Sequence, residues 1–288
     1  MAWSSQTSAT SGSRCDAVTR IVIHPPSRFD LPRPAELWEA REIFVRFGQR
    51  DIILRYRQTA IGVAWVLIQP LLAAGIFAVV FGQVAKLPSN GVPYFVFAYA
   101  GTLGWNLFSS MLNRSAPSLV ANQSLVSKVF FPRMVVPLAT SLSVLLDFLV
   151  ALVLGLVLVV VNGLAGWHLL LVLWWALMAL LFGAGIGLAA SAVMVRYRDV
   201  AYVLPFLVQV GLYASPVGYA LTSVPERLRP LFDLNPMTWV LEGFRHAMLG
   251  QSAPPMGAVV GTAVASIVVF VLGALVFQQQ ERSFADII

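Results

Sequence analysis

"SLVANQSLVSKVFFPRMVVP", Ser118 to Pro137, interrupts a chain that is greasy almost throughout. It carries Asn122, Gln123, Lys128 and Arg133 and closes on Phe130, Phe131 and Pro132; Lys128 is one of only two lysines, the other being Lys86. On either side lies an apolar run long enough to cross a bilayer, which takes about 20 residues at about 1.5 Å each. A polar break between two such runs reads as an aqueous loop joining two membrane-spanning helices. The same reading, carried outward in both directions, sets the expected fold.

Composition points the same way. The chain is 58% hydrophobic and 11% charged, with a mean hydropathy of +0.80, whereas soluble domains are about 25% charged. The apolar runs do not alternate, which excludes a β-barrel. The expected fold class is an all-α polytopic membrane protein with six spans, at about Thr59–Gly82, Pro93–Leu112, Met134–Val161, His168–Val195, Ala201–Leu221 and Met256–Phe277. Residues 1–33 are rich in Ser, Thr and Arg with no apolar stretch, so they read as a disordered cytoplasmic tail rather than a signal peptide. Residues 34–288 read as one transmembrane domain. Cys15 stands alone, so no intrachain disulfide is possible. With the N-terminus inside, fifteen of the nineteen Lys and Arg residues fall on the cytoplasmic side, and only Lys86, Arg227, Arg229 and Arg245 fall outside. Basic residues are retained inside, so both termini are expected in the cytoplasm. The net charge of +6 then reports topology, and no nucleic-acid partner is expected.

Three segments outside the spans stand out. Residues 34–57 form an amphipathic helix: Pro34 suits its first position, Leu37, Ala40, Phe44 and Phe47 share one face, and Glu39, Glu42, Arg46 and Gln49 the other. Such a helix lies along the membrane surface, either covering the ends of the spans or docking a partner, with Arg50, Arg55 and Arg57 at anionic headgroups. In the opening stretch Leu125 and Val129 fall on one helical face, and Pro132 stops the helix. A short helix of this kind either connects two spans or inserts into a groove on another protein. The third segment, "DLNPMTWVLEGFRHAMLG" (Asp233–Gly250), has Asn235 as cap, Pro236 at the first position and Gly250 after the end. It is too short and too charged for a full span, so a re-entrant or interfacial helix is expected. Pro216 should break the fifth span just before it.

Catalytic and cofactor chemistry is missing from the sequence. Neither lysine follows the glycines of a phosphate loop, and there is no H-E-x-x-H or G-x-S-x-G. His24, His168 and His246 lie in different regions and read as loop or interface residues rather than metal ligands. No cofactor, metal or enzymatic activity is expected on this chain. Asp147 sits at the middle of the third span, with no ionisable partner evident inside another span. It reads either as an ion or proton site or as a buried contact fixing that helix. The glycines of "FGAGIGLAAS" (Phe182–Ser191) permit close helix contact. Trp65, Phe77 and Phe81, with Tyr202, Phe206, Tyr213 and Tyr219, read either as core and interface aromatics or as a path for sugar rings.

Taken in order, "RDIILRYRQTAIGVAWVLIQPLL" (Arg50–Leu72), "NQSLVSKVFFPRMVVP" (Asn122–Pro137), "VRYRDV" (Val195–Val200), "YASPVGY" (Tyr213–Tyr219) and "LNPMTWVLEGFRHAML" (Leu234–Leu249) resemble the membrane-spanning subunit of type-2 ABC exporters. The resemblance is to the branch exporting lipid-linked polysaccharides, namely O-antigen, capsule and teichoic acid, and spans about residues 34–288. It implies a homodimer in the bacterial inner membrane, paired with a separate ATP-binding cassette ATPase that holds ATP and Mg. By the same resemblance Asn122, Gln123, Leu125, Lys128, Val129, Phe131 and Arg133 belong to a coupling helix seated in that ATPase. Leu37, Glu39, Glu42, Phe44 and Arg46 lie on an interface helix beside it. Trp65, Phe77, Phe81, Phe206, Tyr213 and Tyr219 would line the channel, and Pro216, Asn235, Pro236, Trp239, Glu242 and Arg245 an outer gate. Two other readings stay open. One is a type-2 ABC permease for drugs or another small lipophile. The other is an ion-coupled transporter using Asp147, which expects paired broken helices where only one is found.

Overall fold

A computed structural model describes residues 2–4, 22–24, 38–57, 62, 64–126 and 131–281. The expected positions Pro34, Leu37, Lys128 and Val129 lie outside them. Apart from β1 (Ala2–Ser4) and β2 (Val22–His24), which pair antiparallel with Ala2 opposite His24, the elements are helical. They are α1 (Arg41–Arg57), α2 (Ala64–Phe77), α3 (Tyr94–Ser115), α4 (Ser118–Ala121), α5 (Gln123–Val126), α6 (Val135–Val161), α7 (Leu171–Arg196), α8 (Val200–Ala214), α9 (Arg229–Leu234), α10 (Pro236–Leu249) and α11 (Met256–Glu281). A π-helical stretch, Ala78–Val84, prolongs α2, and a 3₁₀ turn, Trp167–Leu170, leads into α7. The chain is an all-α polytopic membrane protein. Among the described residues, four helical segments are long and apolar enough to cross a membrane: Ala64–Val84, Val135–Val161, Trp167–Arg196 and Met256–Glu281.

The two other expected spans take different forms, each for a physical reason. α3 is 22 residues long, but it carries Tyr94, Tyr99, Thr102, Asn106, Ser109 and Ser110; sixteen of its residues are buried among α2, α6, α7 and α10. A helix walled off from lipid by protein has no need to be uniformly apolar. α8 has only 15 residues, about 22 Å at helical rise, and stops at Ala214 because Ser215 turns to extended backbone ahead of Pro216. The fifth span is therefore shorter than Ala201–Leu221, and the break falls where Pro216 predicts it.

Close packing depends on glycines where two backbones meet. A Cβ at Gly185 would lie 2.6 Å from the Phe270 backbone, and one at Gly273 would strike the Gly185 carbonyl. α7 and α11 thus cross with backbones in contact, while Gly183 and Gly187, on the other side of α7, admit α3 at Phe108 and Ser115. α1 lies along the first turns of α6: Gly48 leaves room for Leu142, and Ala40 and Phe131 are buried with Val135 and Val136. At 27 residues α6 is about 40 Å long, longer than a hydrocarbon core of about 30 Å. α1 covers its first half, from Val135 to Asp147.

Candidate functional site

At the α1 end, α1 and the α4–α5 loop enclose an apolar groove of about 230 Å³, lined by Ile43, Arg46, Phe47, Arg50, Leu125 and Phe131. Helix α1 and the residues just before it present Glu39, Glu42 and Arg46 to the outside and keep Ala40 and Gly48 buried, with Phe44 and Phe47 half-buried, as the spacing predicts. The loop differs from the single short helix expected. It folds as two turns, α4 and α5, broken at Asn122, whose amide donates to the Ser118 carbonyl and whose oxygen accepts from Arg50. Asn122 is therefore occupied within the chain. Phe131 is only 8% exposed and packs at 5.6 Å against the tilted ring of Phe47, so it forms a wall of the groove rather than a projecting side chain. Leu125 of α5 is 40% exposed, and Gln123 is half-buried. Arg133 ties the loop's far end to the last turn of α11 through the Glu281 carbonyl, at 3.2 Å.

The neighbourhood of Asp147 corrects the expectation of an isolated carboxylate in mid-span. Asp147 accepts from Arg114 of α3 and from the Tyr56 hydroxyl of α1, and Arg55 of α1 lies 3.2 Å from the same carboxylate. Arg114 donates its other arm to Ser143, one turn earlier on α6, at 3.1 Å. Two arginines expected in a loop and at headgroups thus converge on it. Asp147 stands level with the last turns of α3 and α1, which bring the two arginines to it. Burial, followed by the hydrogen bond to Asp147, pushes the Tyr56 hydroxyl up to about 12.

At the opposite end α10 begins and ends as its sequence predicts. The Asn235 side chain accepts from the Met237 N–H, and Gly250 adopts a left-handed conformation with φ of 66°. Asn235 also donates to Ser215 at 2.9 Å, fixing the helix start to the break after α8. The charge on α10 at Arg245 is held inside the protein. Arg245 is fully buried: it donates to the Pro216 and Val217 carbonyls and to Glu242 at 2.7 Å, and lies 4.0 Å over the Phe97 ring. Gly101 makes this possible, since a Cβ there would strike the Val217 carbonyl and crowd Arg245. Trp239 donates to the Asp233 carbonyl at 2.9 Å. His168 and His246, expected in separate regions, meet with ring centroids 6.1 Å apart. Each contacts a backbone carbonyl, His168 that of Ala247 and His246 that of Gln251, and Gln251 donates to Ser89. The three connections at this end are thereby clasped together. No group of three or more metal-ligating side chains occurs among the described residues.

The aromatics divide into two sets. Phe77, Phe81 and Tyr219 pack in series at 5.7 and 6.1 Å, and Phe232 continues the row at 6.3 Å. Trp65, Tyr202, Phe206 and Tyr213 are exposed on α2 and α8, whose outer faces have little cover within one chain.

Residues 44–249 match the family described as ABC-2 type transporter. The chain is 27% identical over 254 residues to the "O-antigen export system permease protein RfbA" of Myxococcus xanthus, an alignment covering 87% of this chain and 97% of that protein. It is 25% identical to a protein of the same name from Klebsiella pneumoniae, over 86% of this chain and 95% of that one. With the "Polysialic acid transport protein KpsM" of Escherichia coli it shares 28% identity, over 69% of this chain and 78% of that protein. A family match over most of the chain, on a bundle of membrane-crossing helices, leads to one conclusion: this chain belongs to the ABC-2 type transporter permease family.

Proposed function

We propose that this chain is the membrane-spanning half of an ATP-driven exporter of lipid-linked polysaccharide. It acts as a homodimer in a bacterial inner membrane, with both termini in the cytoplasm and a separate ATPase on that side. The observation that carries the reading is the likeness, along nearly the whole length, to permeases named for O-antigen export. Three features support it. The α1 end offers an apolar groove beside an exposed Leu125, a surface suited to a partner protein. The exposed aromatics of α2 and α8 would face a second copy across a path able to stack on sugar rings. The fifteen basic residues that the topology assigns to one side favour that side as cytoplasmic. Ion coupling through Asp147 is disfavoured, because two arginines already neutralise that carboxylate. ATP and Mg would sit on the partner, and this chain would bind neither.

The test is mild extraction from the native membrane followed by mass analysis of what co-purifies. A stoichiometric ATPase carrying a phosphate loop supports the assignment; the chain recovered alone in several mild detergents defeats it. In the complex, Leu125→Pro removes the N–H that bonds the Asn122 carbonyl and should abolish export while the dimer still inserts. Normal export by that variant would rule out the α5 turn as the coupling element.

A further inference from the structure

Three elements meet at the Asp147 carboxylate, and they do not hold it equally. Arg114 of α3 and Ser143 of α6 form an enclosed limb: the Arg114 side chain is 18% exposed and that of Asp147 12%. Arg55 and Tyr56, both in the last turn of α1, form the second limb, and the Arg55 side chain is 39% exposed at 3.2 Å. One carboxylate therefore faces two guanidinium groups. Releasing the α1 limb leaves Asp147 still neutralised by Arg114, so this limb can open without stranding a buried charge. Losing Arg114 instead would leave a buried carboxylate to a half-exposed partner.

The rest of α1 is attached differently. Its start packs through apolar contacts, Ala40 in a cluster with Phe131 and Phe47 on the Phe131 ring. Its middle holds the loop through Arg50 and Asn122. Its end holds the bundle through Arg55 and Tyr56. A displacement of α1 or of the α4–α5 loop thus reaches α3 and α6 through Asp147. We infer that Asp147, with the releasable Arg55–Tyr56 limb, is the positioning node that transmits movement of α1 to α3 and α6 during transport. This rests on the exporter reading above, in which α1 and the loop lie beside the ATPase.

The experiment compares Arg55→Gln and Arg55→Lys with the parent in the purified complex reconstituted with its ATPase. Arg55→Gln keeps the Arg114–Asp147 pair and hence the fold, which unchanged thermal unfolding would verify. ATP hydrolysis should persist while polymer exported per ATP falls about tenfold, inside the 5–150-fold span of ordinary coupling between sites. Arg55→Lys, which restores a point charge without the fork, should recover part of the ratio. A purely structural role would lower hydrolysis, export and stability together, and that result overturns the inference. An unchanged export-to-hydrolysis ratio overturns it also, while leaving the exporter assignment standing. Absence of any co-purifying ATPase defeats both.

Discussion

Removing Arg245 would leave the Pro216 and Val217 carbonyls and the mostly enclosed Glu242 carboxylate without their donor. Arg245→Met should therefore cost about 3–5 kcal/mol, the range for breaking a buried ion pair by deleting one partner. Pairing it with Glu242→Gln should recover part of the loss. Arg245→Lys should not substitute, because a single ammonium cannot reproduce a planar fork serving three acceptors. Thermal unfolding of the detergent-solubilised protein checks all three. Tyr56 supplies a pH test of the opposite end. It keeps its proton from the ordinary value of 10.0 up to about 12. Across that window the folded chain binds more protons than the unfolded one, so the stability this group contributes is present below pH 10 and lost as pH rises through the window. Tyr56→Phe should flatten that part of the alkaline unfolding profile. Residues differed in how readily the sequence disclosed them. Asn235 and Gly250 were legible because capping is local chemistry, settled within a few positions. The partners of Asp147 were not: Arg114 and Tyr56 stand 33 and 91 positions away, and nothing local marks them as neighbours.

Elements were legible where apolarity and length decide them, and less so where protein replaces lipid as the surroundings. α6 and α11 start within a residue of expectation because their lipid-facing residues define them. α3 was expected to end at Leu112 and in fact continues to Ser115, carrying Arg114 into the bundle. A charged last turn looks like a loop until its counterion is known. The glycines of α7 were rightly read as packing sites, but the split between α3 on one side and α11 on the other depends on where those helices lie. At Gly273 the α7–α11 crossing brings backbone against backbone, so even one methyl has no flexible side chain to displace. Gly273→Ala should destabilise by about 1–3 kcal/mol, the usual cost of overpacking, whereas Gly257→Ala, in open space at the start of the same helix, should be silent. Equal melting temperatures for the two variants would contradict the close crossing.

As a whole, the molecule pairs a rigid bundle with two ends that are tied differently. The α1 end is joined by charged groups partly open to water. The opposite end is joined by an enclosed arginine and a chain of carbonyl contacts through His168, His246 and Gln251. The all-helical class, the positions of six apolar segments and the broken fifth span could all be read from hydropathy and proline. The junctions that make the bundle one body could not, since each joins residues from distant segments. The enclosure of α3 has a consequence for biosynthesis. A helix with a tyrosine-, serine- and asparagine-bearing surface partitions weakly into lipid when presented alone, yet here it is the axis around which α2, α6, α7 and α10 assemble. It has to wait at the insertion machinery for partners made later in the chain. A ribosome stalled after α3 has emerged should then hold a chain anchored by Ala64–Val84 whose α3 is still open to water-soluble labels, and one stalled after α7 should not.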